Sequence, residues 1–181
     1  MIAIATVLAI MRAGATPVLA DIDPATGLLD PESVERCVGP RTRAVLLVHL
    51  YGQVRGMERW VELCERHGIF LLEHCTQSRL AAWHGKPAGR WGAWAACSFY
   101  PTNNLGAIGD AGAFVTDDAT QAGFARRLRN YGQSERYHRP ELGMNSRLDE
   151  SHAVQCLSIP CHPCLDDSDL ANVVSAVNAF E

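Results

Sequence analysis

Short apolar runs along the chain alternate with stretches whose apolar residues recur every three or four positions, and this alternation predicts most of the elements. Pro17-Val-Leu-Ala-Asp21 has the composition of a strand. Pro31 to Val38 predicts a short helix, with Asp30 as its N-cap and Pro31 at the first helical position, where a missing N–H costs nothing. Ala44-Val-Leu-Leu-Val-His49 is continuously apolar, the pattern of a strand buried on both faces. From about Gly56 to His67, Met57, Trp60, Val61 and Cys64 recur at helical spacing, and Gly68 is the expected terminator because glycine enters the left-handed region without steric cost. Ile69 to Leu72, Ala93 to Phe99 and Gly112 to Thr116 predict three further strands. Asp117 or Asp118 then caps a helix running to about Arg129, and Asp167 to Phe180 forms an amphipathic helix with Leu170, Val173, Val174 and Val177 on one face. Strands alternating with helices predict an α/β layered domain with a mainly parallel sheet.

Composition narrows the class. Hydrophobic residues make up 48% of the chain and charged residues 20%, which is a globular balance and not a disordered one. The net charge of −4 supplies no basic field for nucleic acid. The N-terminal run Met1 to Ile10 has no basic residue ahead of it, breaks at Arg12 and Gly14, and is too short to span a bilayer, so neither a targeting segment nor a membrane anchor is expected. Seven cysteines, an odd number set within apolar and helical patterns, suit reduced thiols and a cytoplasmic protein.

Six segments, in order, carry a family resemblance from Arg12 to Glu150. They are Gly14-Ala-Thr-Pro-Val18 with Asp21-Ile-Asp23, Val48-His-Leu-Tyr-Gly-Gln53, Glu73-His-Cys-Thr-Gln77, Ser98-Phe-Tyr-Pro-Thr-Asn-Asn-Leu-Gly106, Arg129-Asn-Tyr-Gly132, and Asn145-Ser-Arg-Leu-Asp-Glu150. Together they resemble the DegT/StrS family of pyridoxal-phosphate (PLP) sugar aminotransferases. The resemblance implies fold type I of the PLP enzymes (aspartate aminotransferase-like), amino transfer to a nucleotide-linked keto-sugar, PLP as cofactor, and an active site built at a dimer interface.

It also implies roles for single positions. The family's Schiff-base lysine falls on Asn103, and a carboxamide nitrogen cannot form an imine. The aspartate that holds the pyridine nitrogen falls on His74, and an imidazole supplies no counter-charge to a pyridinium. Ser98 stands where the family has its phosphate-contacting serine, Gln77 where a glutamine lies near the ring, and Asn145 where an asparagine reaches the partner subunit's phosphate. The sole lysine, Lys86, lies in the turn-like stretch Trp83-His-Gly-Lys-Pro87 and is expected to be a solvated loop charge. No intact catalytic set is therefore expected, and the chain alone is expected to be inactive.

Two domain-level expectations follow. Residues 1–155 resemble part of the large domain, lacking the upstream helix N-terminus that would cradle the phosphate. Residues 156–181 resemble the extreme C-terminal tail with one helix, the rest of the small domain being absent. Three other readings stand beside this one. The chain could be a non-catalytic scaffold, or a partner subunit in a homo-oligomer or a heterodimer with an active paralogue. Cys161 and Cys164, a C-x-x-C pair, could form a thiol or metal module, although no second matched pair accompanies them and no metal site is expected. Arg126, Arg127, Arg129, Arg136 and Arg139 could line an anion site, although such a run is more often a solvated helix face.

Overall fold

The computed structural model describes residues 4–146. The helix expected over Asp167 to Phe180, Cys161 and Cys164, and the whole expected tail of residues 156–181 fall outside them. The chain divides into two compact units, Met1–Ala93 and Trp94–Glu181.

The first unit opens with helix α1, Ile4–Arg12. The apolar run read above as too short to span a membrane is thus helical, and among the described residues no helix is long and apolar enough to cross one. The segment expected as a strand over Pro17 to Asp21 runs extended but joins no ladder; only Ile22 bridges to Leu29. With no strand of its unit alongside, it leaves Val18 and Leu19 69% and 74% exposed. Helix α2, Pro31–Cys37, starts where capping chemistry placed it: Asp30 accepts hydrogen bonds from the amides of Glu32 and Ser33.

Strand β1, Ala44–Val48, and strand β2, Phe70–His74, pair in parallel from Ala44↔Phe70 to Val48↔His74. Helix α3, Met57–His67, connects them. Gly68 ends α3 at φ 62°, so its amide can turn back to the Cys64 and Glu65 carbonyls. Met57, Trp60, Leu63 and Cys64 form the buried face of α3 and pack with Val45, Leu47 and Leu71 into the unit's core. Each fully buried side chain of this size contributes roughly 1.5–3 kcal/mol. In the same surroundings the Cys64 thiol is pushed up to about 11 by burial, which makes it an inert core residue. The both-faces expectation for β1 does not hold within the unit: Val45 and Leu47 are buried, Leu46 and Val48 half-buried, and Ala44 exposed. The unit ends in a small hairpin of β3, Ala82–Trp83, and β4, Lys86–Pro87. His84 and Gly85 form its two-residue turn, both at positive φ.

In the second unit, β5, Trp94–Ser98, pairs antiparallel with β6, Gly112–Val115, from Ala95↔Val115 to Ser98↔Gly112. Trp94 and Phe114 meet across the ladder with ring centroids 5.5 Å apart. Strand pairing in the molecule is therefore mixed, with the parallel ladder in the first unit. Asp118, of the two aspartates offered by the sequence, caps helix α4, Ala119–Leu128, by accepting from the Thr120 and Gln121 amides. Arg127 grips Glu141 through two nitrogens, Nη2 at 2.7 Å and Nε at 2.9 Å, and so fastens the segment after α4 back onto the helix.

Replacing Asp30 by alanine leaves two first-turn amides of α2 uncapped, and is expected to lower stability by about 1 kcal/mol in urea unfolding. No change in the midpoint would show that the cap contributes nothing.

Candidate functional site

The parallel ladder brings β1 and β2 to the same end, and polar residues gather there inside the first unit. Glu73 shares the buried face of β2 with Leu71 and has 0% exposure. A carboxylate in such surroundings must be fully hydrogen-bonded or it would be protonated. Glu73 is fully bonded: Oε1 accepts from the amides of Trp91 and Gly92, both at 2.7 Å, and Oε2 from the Gly89 amide and His49 Nε2, both at 2.9 Å. Burial pushes its carboxyl up, but the bonds from His49, Gly92 and Gly89 outweigh this and hold it below its ordinary 4.5. An ionised carboxylate only accepts, so His49 carries its proton on Nε2. Gly92 makes the approach possible, since a Cβ there would stand 2.3 Å from the Leu71 carbonyl oxygen.

His74 follows Glu73 and receives no such set of partners. Its Nε2 lies 2.7 Å from Thr76 Oγ1, and its Nδ1 is buried with no hydrogen-bond partner among the described residues. Burial pushes the imidazole below its ordinary 6.5, and the neighbouring His49 acts in the same direction. Gln77 lies in the turn after β2, where its Oε1 accepts from the Tyr51 amide at 2.7 Å. That bond secures Tyr51 in the left-handed region at φ 57°.

Ser98 and Asn103 belong to the second unit, and the structure brings them together. Asn103 Nδ2 lies 3.0 Å from Ser98 Oγ and 3.3 Å from the Ser98 carbonyl oxygen. The Tyr100 amide also donates to Ser98 Oγ, at 3.2 Å. The end of β5 and the turn after it are thus tied by one carboxamide and one hydroxyl. Asn145 is exposed and enters an isolated bridge with Asn130.

Lys86 is exposed in the β3–β4 hairpin, and its Nζ stands 4.5 Å from the centre of the Trp91 ring. Arg127 is committed to Glu141, and Arg136 lies over Tyr137 with 5.1 Å to the ring centre. His49, Glu73 and Cys75 place ligand-type atoms within 4.8 Å of one another, but all four acceptor positions of Glu73 are already used. His49 and Glu73 are thus a hydrogen-bonded fastening, with no acceptor position of Glu73 left for a metal.

The sequence reading passed over Glu73 and His49. A signal was present: a carboxylate two residues after Leu71 lies on the same strand face, but the strand expected over Ile69 to Leu72 stopped short of Glu73.

Comparison with known proteins places this geometry. The model of the DegT/DnrJ/EryC1/StrS aminotransferase family matches residues 3–155. A dTDP-3-amino-3,4,6-trideoxy-alpha-D-glucose transaminase of Streptomyces venezuelae is 45% identical over 150 residues, covering 83% of this chain and 40% of the relative. The solved structure of DesV from S. venezuelae superposes with a TM-score of 0.77 at 44% identity, over 81% of this chain and 40% of that one. NtdA from Bacillus subtilis, solved with the cofactor PMP (pyridoxamine phosphate) bound, gives a TM-score of 0.73 at 29% identity, over 81% of this chain and 33% of its own. The chain spans about two fifths of the length of the curated relatives it matches.

Two predictions follow from the buried cluster. Glu73→Gln replaces an acceptor by a donor that faces backbone N–H groups, and should lower stability by about 3 kcal/mol in urea unfolding; a loss below about 1 kcal/mol would show that the hub is dispensable. The second concerns pH. The folded state holds the His74 proton less tightly than the unfolded state, so the unfolded chain takes up more protons once pH falls below 6.5. Stability is expected to decline from there down through the folded value, and His74→Asn should remove this decline. The depressed Glu73 carboxyl adds a loss that begins near 4.5 and grows as pH falls through its folded value. A His74→Asn profile that still declines near pH 6, like the wild type, would refute the assignment to His74.

Proposed function

We propose a function from one premise: the chain belongs to the DegT/DnrJ/EryC1/StrS aminotransferase family. Its fold is that of the PLP-dependent aminotransferases. The reaction class is amino transfer to a nucleotide-linked keto-sugar, with PLP as the inherited cofactor, and this chain alone does not complete it. Relatives that are transaminases of dTDP- and UDP-linked sugars support the class.

The observation that carries the second half is at Asn103, the position that matches the family lysine. Its Nδ2 is spent on the carbonyl and hydroxyl of Ser98, and it has no nucleophilic nitrogen to offer. Lys86 is not at that position: it lies exposed in the β3–β4 hairpin, with its ammonium over the Trp91 ring. The residues therefore do not fit covalent attachment of the cofactor.

By the family resemblance, Ser98 would contact the cofactor phosphate, Gln77 would lie near the ring, and Asn145 would reach the phosphate of a second subunit. His74 stands at the ring-nitrogen position with one nitrogen bonded to Thr76 and the other buried, so it brings no counter-charge. When bound, the cofactor would supply the electron sink for amino transfer; the side chains here would bind and orient it.

A non-catalytic subunit is the role that follows, in a homo-oligomer or beside an active paralogue. The apolar side chains Ile4, Leu8 and Met11 of α1, 54–70% exposed, suit an associating surface better than a solvated one.

Borohydride reduction of the protein mixed with PLP tests this reading. No covalent adduct is expected on the wild type, and one is expected on Asn103→Lys. An adduct on the wild type that disappears in Lys86→Ala would overturn the reading and restore catalysis to this chain.

A further inference from the structure

The ladder between β1 and β2 fixes which way each backbone group of β1 points. At one end the Phe70 amide donates to the Arg43 carbonyl at 3.0 Å, and at the other the His49 amide donates to the His74 carbonyl at 3.2 Å. In a parallel pair, alternate residues of a strand bond to the same neighbour. Arg43, Val45, Leu47 and His49 therefore face β2, and the N–H and C=O groups of Ala44, Leu46 and Val48 point away from it. Among the described residues β1 is an end strand, and no hydrogen bond reaches those three residues from its outer side. The extended segment Pro17 to Asp21 does not cover them, since it joins no ladder.

Soluble proteins ordinarily protect such an edge with a charge, a proline or a bulge. Ala44-Val-Leu-Leu-Val48 carries none of these, and its register against β2 is unbroken. Free N–H and C=O groups at every second residue are matched by another extended strand and not by a helix, which spends its own groups internally. The spacing also selects the strand. The free groups are symmetric about Leu46, so β1 is complementary to a second copy of itself running antiparallel. Leu46 then faces the partner's Leu46, Ala44 faces the partner's Val48, and each outward N–H meets a carbonyl. Every side chain brought opposite another is apolar, so no charge is buried by the pairing.

We propose that β1 is a homodimerisation edge: two copies of the chain join through antiparallel β1–β1 pairing about a two-fold axis at Leu46. Such a contact is isologous and closes at two, because β1 has one free edge. Strands of 5 residues make a small interface, so the dimer is reversible and depends on concentration. The proposal rests on the homo-oligomer reading given above and supplies its surface; it is independent of the cofactor.

Sedimentation velocity of the full chain over a range of concentrations is the test, with a reversible dimer expected for the wild type. Leu46→Lys sets two like charges opposite one another on the axis and should weaken the dimer at least about tenfold. Leu46→Glu should do the same, and mixing the two variants should restore a heterodimer, as expected of a residue that faces its own copy. Far-UV circular dichroism checks that each variant folds. Should either fail to fold, amide hydrogen exchange on the wild type decides. The Ala44, Leu46 and Val48 amides should be protected when concentrated and exchange freely on dilution, while those of Val45 and Leu47 stay protected throughout. A dimer that survives in both variants, or outward amides whose exchange ignores concentration in a dimeric wild type, would overturn the edge and leave the homo-oligomer standing. A monomer at every concentration would overturn both.

Discussion

A carboxylate with no exposed surface must have its lone pairs occupied by the protein, and the first unit is organised around that requirement at Glu73. Its donors come from His49, just beyond β1, and from three amides between Gly89 and Gly92. One side chain on β2 thereby fixes the strand beside it and the loop that closes the unit. The hydrophobic core of Val45, Leu47, Leu63 and Leu71 supplies most of the burial energy, but it is not directional. The directional part is the set of four bonds to one charge, which holds the ends of both strands in a single arrangement. His74 and Gln77 follow on the same stretch of chain, so their placement is inherited from Glu73.

Much of the fold was legible in the sequence because its signals are local. Asp30 and Asp118 cap helices, Gly68 ends one, and the apolar runs became β1, β2, β5 and β6. Where the reading failed, the deciding fact was not local. Pro17 to Asp21 has strand composition, but a strand exists only with a partner in register, and composition cannot supply one. The continuous apolar run of β1 suggested burial on both faces, yet within its unit one face is only half-covered.

The candidate site was legible as a set of positions and not as a set of interactions. Ser98 and Asn103 were singled out separately, and their hydrogen bond follows from a turn five residues long that no motif specifies. His74 was expected to lack a counter-charge. That one of its nitrogens is enclosed and the other is bonded to Thr76 depends on how the chain folds over it. Glu73 was visible as a letter in a motif, and its meaning emerged only with the strand face to which it belongs.

The bonds between Asn103 and Ser98 bear on how readily this chain could change course over evolutionary time. Every asparagine codon lies a single base from a lysine codon, and every histidine codon a single base from an aspartate codon. Genetically the lysine and aspartate that the resemblance expects are one step away at these positions. Structurally the two steps differ. At His74 an aspartate would carry its charge into a position where one side-chain nitrogen is already enclosed with no hydrogen-bond partner among the described residues. At Asn103 a lysine would release the carbonyl and hydroxyl that now secure the end of β5. Reversal is therefore held back by hydrogen bonds and charge rather than by mutational distance, and a lineage that regained the lysine would first need another way to tie off that strand.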